Sequence, residues 1–219
     1  MFGIGCLFFI RFYNNLRSGA TSLFDVQCSM LDVRLFKQPR TAKGKGEDMK
    51  FKFCPFCGRQ LQARVNGNKK RLYCDPCRWT HYRNPTVGVA VVLLKNDELL
   101  LVKRNGSYEG LWCIPCGHVE YDEDIRVAAK REFKEETGLD VDVGPVFAVH
   151  SNFHDLENQT VGIWFLGTCT GGKLEAGSDA SEAKFFPPDD LPEEMAFPTD
   201  LLVCEQLNSL IKHKNKGEK

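Results

Sequence analysis

Hydrophobic and polar positions repeat with two different periods along this chain, and the switches between them lay out its elements. From Thr86 the run TVGVAVVLL is almost wholly apolar, Asn96-Asp97 is a turn signal, and ELLLVKR completes what reads as a β-hairpin of a buried sheet. Between Asp124 and Thr137 the period becomes helical. Ile125, Ala129 and Phe133 fall on one row, Asp122 or Asp124 stands at the N-cap, and Gly138 marks the stop. Strand-like VFAVHS and TVGIWFLGTC follow, then a turn at Gly171-Gly172 and a last strand in AKFFP. Thr199 is expected to cap a final amphipathic helix that turns Leu202, Leu207, Leu210 and Ile211 to the core. Strands interleaved with helices place the chain in the α+β or α/β class.

Residues 1–49 fit neither period. They open on a short apolar run, become Arg-containing and acid-poor, and end in TAKGKGED. One reading is an organelle transit peptide; the other, preferred, is an over-long gene model whose natural start is Met49. Residues 214–219 read as a disordered tail. No apolar run approaches the roughly 18 residues that a membrane span needs, so no membrane partner is expected.

Charge divides the remainder. The 219 residues have zero net charge, yet 50–84 hold nine Lys or Arg against one acid, and 85–219 hold thirteen against twenty-four. Two different pieces are expected, 50–84 and 85–213. In the first, Cys54-Pro-Phe-Cys57 and Cys74-Asp-Pro-Cys77 are separated by sixteen residues, so four thiolates can converge on one Zn²⁺ as a small ribbon that draws folding energy from the metal. Cysteines spaced for metal rather than for a disulfide framework point to a reducing compartment, the cytosol. Lys69, Lys70, Arg71, Arg78 and Arg83 would suit nucleic-acid phosphates. A structural appendage with a solvated basic face is the preferred reading, and nucleic acid is not the expected partner.

The second piece carries the chemistry. Glu132, Glu135 and Glu136 at i, i+3, i+4 stack three carboxylates on one helical turn, an arrangement that asks for a cation, and oxygen donors suit Mg²⁺ or Mn²⁺. Carboxylates with such a metal and no His ligand point to a phosphate substrate. The segment from Gly117 to Leu139 resembles the signature of the Nudix hydrolases, with Gly117, Glu123, Arg131, Glu132, Phe133, Glu135, Glu136, Gly138 and Leu139 at its fixed positions.

That resemblance implies an α/β/α sandwich on a mixed sheet, the Nudix fold, behind the four-cysteine zinc ribbon. It implies that Glu132, Glu135 and Glu136 hold the divalent metal and one of them handles the attacking water. Arg131 would pair with Glu123 and fix the loop and helix, and Gly117 would allow close backbone approach. A further carboxylate from a later loop is expected among Glu157, Glu175 and Glu182. Trp112-Cys113-Ile114-Pro115-Cys116 looks like a thioredoxin redox site, but no redox βαβ unit surrounds it. The family resemblance instead makes Cys116 a metal ligand through its backbone carbonyl, with Trp112 and Pro115 in the approach strand.

A zinc ribbon ahead of a Nudix domain is similar to two groups, the ADP-ribose and FAD pyrophosphatases and the NADH pyrophosphatases that also act on NAD-capped RNA. The first is preferred, because MAFPTD at 195–200 matches a late segment of that group and would bring Ala196, Phe197 and Pro198 to the substrate. Lys103 and Arg104 are candidates for phosphate. Trp112, Phe153, His154 and Trp164 are candidates for stacking, with the preference on Phe153 and His154. The expected partner is a small nucleotide, and dimers are common among relatives. The rival from another class is a metabolite-sensing nucleic-acid-binding regulator.

Overall fold

The computed structural model describes residues 51–155, 158–177 and 179–217, and the readings made for residues 1–49 lie outside them. Contacts divide the chain after Gln62. Before that point Cys54 N–H donates to Arg59 O and Gly58 N–H to Cys54 O, each near 2.9 Å, which closes a tight knuckle. From Gln62 onward come β1 (Gln62–Asn66), β2 (Lys69–Cys74) and β3 (Trp79–His81), a three-stranded sheet in that order. The Sγ atoms of Cys54, Cys57, Cys74 and Cys77 lie within 4.8 Å of one another. Among the described residues this is the one group of three or more potential metal ligands drawn that close.

Beyond the ribbon, β4 (Thr86–Lys95) and β5 (Glu98–Arg104) form the expected hairpin, with Asn96 and Asp97 at φ 54° and 62° in its two-residue turn. Short β6 (Trp112–Cys113) and β7 (Cys116–His118) add to β5 and β4. Helix α1 (Ile125–Thr137) follows; the Asp124 side chain accepts from Arg126 N–H and Gly138 ends the helix at φ 72°. Then come β8 (Leu139–Asn152), β9 (Thr160–Gly172), β10 (Ala180–Phe186) and helix α2 (Pro198–Gly217). The main sheet runs β10-β5-β4-β9-β8, mixed because β4 and β9 pair in parallel while their other neighbours are antiparallel. Gly171 and Gly172 are not a turn: they pair with Asp140 and Leu139 and continue β9.

Alternation along β4 feeds two cores. Val89, Val91 and Leu93 pack with Ala128, Ala129 and Phe133 of α1, whereas Ala90 and Val92 pack with Val203, Cys204 and Leu207 of α2. The result is the α/β/α sandwich. The α2 face differs from the expected one: Leu202 and Leu210 are exposed, and Val203, Cys204, Leu207 and Ile211 face the sheet. One residue is about 100° around a helix, so a face set by Val203 turns Leu202 outward. Thr199 is not the cap either. The helix starts on Pro198, and Thr199 is buried with its hydroxyl unpartnered. Residues 214–217, expected as part of the tail, continue α2. No helix among the described residues is long and apolar enough to cross a membrane.

The face assignment has a direct check in denaturant unfolding. Leu207→Ala should cost about 2–5 kcal/mol, and Leu202→Ala no more than about 0.5 kcal/mol. Equal losses would contradict the orientation of α2.

Candidate active site

Helix α1 delivers its carboxylates to one end of the sheet, where a single arginine organises them. Arg131 Nε and Nη2 donate to the two oxygens of Glu123 at 2.9 and 2.7 Å, Nη1 donates to Glu132 at 2.8 Å, and Nη2 also reaches the His118 carbonyl at 3.2 Å. Hydrogen bonding from Arg131 holds the Glu123 carboxyl below its ordinary pKa. Glu135 lies 3.5 Å from Arg131 Nη1 and is half exposed. Gly117 is required for contact rather than for turn geometry: a Cβ built there would run into the Glu132 carboxylate.

Glu136 is the buried member, 2% exposed, and one of its oxygens accepts the backbone N–H of Cys116 at 2.9 Å. Burial pushes its pKa to about 8; the Cys116 N–H opposes that shift and nearby Asp179 and Glu132 add to it. A carboxylate this buried, beside others on the same turn, fits a bound cation, and the hard oxygen donors fit a divalent one. The three glutamate carboxylates are not themselves drawn within 4.8 Å of one another.

A cavity of about 630 Å³ opens against this end of the sheet, with Cys116, Gly117 and Glu132 on its wall. Arg104 also lines it, 3.9 Å from Asp179 and 5.4 Å above the centre of the Phe197 ring. Arg104 and Lys103 are neighbours on a strand, so they point to opposite sides. Lys103 does not line the cavity and pairs with Glu182 at 3.1 Å. His154 lines the cavity but Phe153 does not, and of Ala196, Phe197 and Pro198 only Phe197 does. Trp112 packs in the core against Phe186. Trp164 is buried and lines the cavity floor.

The expected late carboxylate is also placed differently. Glu182 bonds to Lys103 and Lys184, Glu175 faces Lys173 at the surface, and Glu157 lies outside the described residues. Asp179, which the sequence reading did not single out, lines the cavity and acts on Glu136 through its charge. Nor did the reading find Asp200, whose buried carboxylate accepts Ile114 N–H at 2.9 Å and Trp164 Nε1–H at 3.0 Å. Burial raises its pKa to about 7. Asp200 therefore ties α2 to the strand approach that ends at Cys116. The Cys116 thiol is pushed well up by its hydrogen bond with Cys113 and by burial, and Cys113 ends a short strand with no helix beginning at it, unlike the first cysteine of a thioredoxin site.

Raised carboxyl pKa values fix a pH dependence. Glu136 and Asp200 hold protons in the folded state that the unfolded chain has released above about pH 4.5, so stability falls as pH rises from about 4.5 to 8. In protein without added divalent cation, Asp200→Asn should narrow the difference in unfolding free energy between pH 5.5 and 8. An unchanged difference would show that Asp200 titrates normally.

Comparison with known proteins agrees with this geometry. Residues 84–205 match the NUDIX domain family, and residues 52–83 match the family described as Nudix N-terminal, a zinc ribbon. The chain is 36% identical over 141 residues to the ADP-ribose pyrophosphatase of Methanocaldococcus jannaschii, which covers 64% of this chain and 81% of that protein. It is 28% identical over 148 residues to the NAD-capped RNA hydrolase NudC of Vibrio vulnificus, covering 64% of this chain and 52% of that one. The chain thus spans about half the length of the latter relative. Among solved structures, a NUDIX hydrolase from Nitrosomonas europaea superposes with a TM-score of 0.62 at 29% identity, over 70% of this chain and 88% of that one. With the family matched over more than half its length and the carboxylate helix in place, the chain belongs to the NUDIX family and is a Nudix hydrolase with a zinc ribbon before its catalytic domain.

Proposed function

We propose that this protein hydrolyses the diphosphate bond of a nucleoside diphosphate linked to a second moiety, with an ADP-ribose or FAD type dinucleotide as substrate. The observation that carries the reading is the position of Arg104. It lies in one cavity between the glutamate helix and an aromatic wall, close to Asp179 and against Phe197. A guanidinium there suits the phosphate next to the bond being cleaved. Support for the substrate comes from the ADP-ribose pyrophosphatase relative, 81% of whose length is matched. The second reading, NADH or NAD-capped RNA, is supported by the ribbon-bearing NudC relatives, of which about half is matched.

Family members work with a divalent metal, and here Glu132, Glu135, Glu136 and the Cys116 carbonyl would hold Mg²⁺ or Mn²⁺. Once bound, such a cation offsets phosphoryl charge and lowers the pKa of water. The chain's own residues do the rest. One of the helix carboxylates orients the attacking water and takes its proton, and Asp179 adds the later-loop carboxylate. Arg131 and Glu123 are positioning residues that keep Glu132 against Gly117. Burial of Glu136 keeps bulk water from competing for it.

Cys54, Cys57, Cys74 and Cys77 are assigned to one structural Zn²⁺. Elemental analysis should find one zinc per chain, lost in Cys74→Ser together with protease resistance of residues 51–83; a zinc-free ribbon of equal resistance would contradict the assignment.

The activity is tested with Mg²⁺ on ADP-ribose, FAD, NADH and a NAD-capped RNA. Turnover is expected for ADP-ribose or FAD, and Glu136→Gln should lower kcat by about a hundredfold or more. Failure to cleave any of the four would remove the proposal, and preference for the capped RNA would favour the second reading.

A further inference from the structure

Three aromatic rings that hydrolysis itself does not need meet on the wall of the same cavity. Tyr108 and Phe197 stand edge to face with centroids 5.3 Å apart, Tyr108 and His154 are 5.5 Å apart, and His154 and Phe197 are 5.6 Å apart. The Tyr108 hydroxyl and His154 Nε2 share a hydrogen bond of 2.7 Å, and His154 Nδ1 bonds to the Asn152 side chain. All of these residues line the cavity. Rings serving only as core would be covered by apolar neighbours, yet Tyr108 is 40% exposed and His154 is exposed beside it.

The backbone beneath Tyr108 is held in a conformation that bulky residues avoid. Its φ is 62°, between Gly106 at 74° and Gly110 at 81°. Gly110 N–H bonds to Arg104 O at 2.9 Å and Leu111 N–H to Tyr108 O at 3.1 Å, so the loop is closed around that residue. The same turn therefore fixes both Arg104 and the Tyr108 ring. The floor is kept open by glycine. Gly88 and Gly162 are partners across β4 and β9, and a Cβ at Gly162 would come within 2.5 Å of the Trp164 indole.

We propose that Tyr108, His154 and Phe197 form the subsite for the planar heterocycle of the substrate, with Tyr108 as its specificity-determining residue and Arg104 as the joint to the diphosphate. Aromatic faces with a hydrogen-bonded pair at the edge accept a purine or flavin ring by stacking, over a larger flat contact than a ribose or a short alkyl group presents. This assignment rests on the hydrolase reading above. It goes further by assigning the residues that hold the heterocycle and the one that selects it.

The test separates binding from turnover. AMP and FMN are titrated into the zinc-loaded protein without other divalent cation, using the parent, Tyr108→Ala, Tyr108→Phe and Phe197→Leu, with thermal melts to confirm that each folds. kcat and KM are then measured for ADP-ribose and for a base-free compound in which a diphosphate joins two ribose units. Loss of a stacking partner should weaken binding of AMP or FMN, and raise KM for ADP-ribose, by about 10- to 100-fold in Tyr108→Ala and Phe197→Leu. The kcat should stay within about threefold, Tyr108→Phe should keep most of the affinity, and the base-free compound should not distinguish the variants. Affinities and KM within about twofold of the parent in both ring-deleting variants, or no binding of either nucleotide to the parent, would overturn the subsite. Absence of turnover with all substrates while AMP or FMN binding still depends on Tyr108 would sink the hydrolase reading and leave the subsite standing.

Discussion

The site depends on one arginine being saturated by acids. Three carboxylates on a single helical turn repel one another, and α1 tolerates them because Arg131 spreads its guanidinium over Glu123, Glu132 and the His118 carbonyl, with Glu135 at 3.5 Å. Glu123 stands just before the helix and His118 at the end of β7, so the same side chain that calms the helix also ties it to the strand carrying Gly117. Removing Arg131 would leave Glu132 without its partner and free the loop in one step. The geometry of the helix carboxylates is thus a property of a network, not of three independent side chains.

Burial then separates the roles of those carboxylates. Glu136 is shielded and bonded to Cys116 N–H, whereas Glu135 remains half exposed. Two side-chain carboxylates add to the backbone pairing that holds the approach segment from Trp112 to Cys116: Glu136 at its end and Asp200 at Ile114. Asp200 also holds the Trp164 indole, so the floor of the cavity, the approach segment and the start of α2 share one buried carboxylate. Buried charges are costly unless hydrogen-bonded. Both groups are hydrogen-bonded, and the cost of burying their charge is what raises their pKa values.

Much of this was legible from local pattern. The hairpin at 86–104, the caps Asp124 and Gly138 and the four-cysteine cluster depend on local spacing, whereas the Arg131–Glu123 pair was expected from the family resemblance. What was not legible depends on phase. Whether Lys103 or Arg104, or Phe153 or His154, turns inward is decided by the register of β5 with its neighbours and by the end of β8, and a shift of one residue reverses the answer. Leu202 and Leu210 failed for the same reason on a helix, because the buried run from Asp200 to Leu207 sets the face. Tyr108, Asp179 and Asp200 are brought to the cavity by tertiary contacts between segments far apart in sequence, and a single sequence carries no periodic signal for those.

Binding of Mn²⁺, followed by electron paramagnetic resonance on zinc-loaded protein, measures most directly whether α1 is a divalent-cation site built by burial and the arginine network. Glu136→Gln and Glu132→Gln should each weaken Mn²⁺ by about tenfold or more, while Glu175→Gln, which faces Lys173 at the surface, should leave it unchanged. Equal Mn²⁺ affinity in the parent and the two α1 variants would contradict the assignment of the helix carboxylates to the metal.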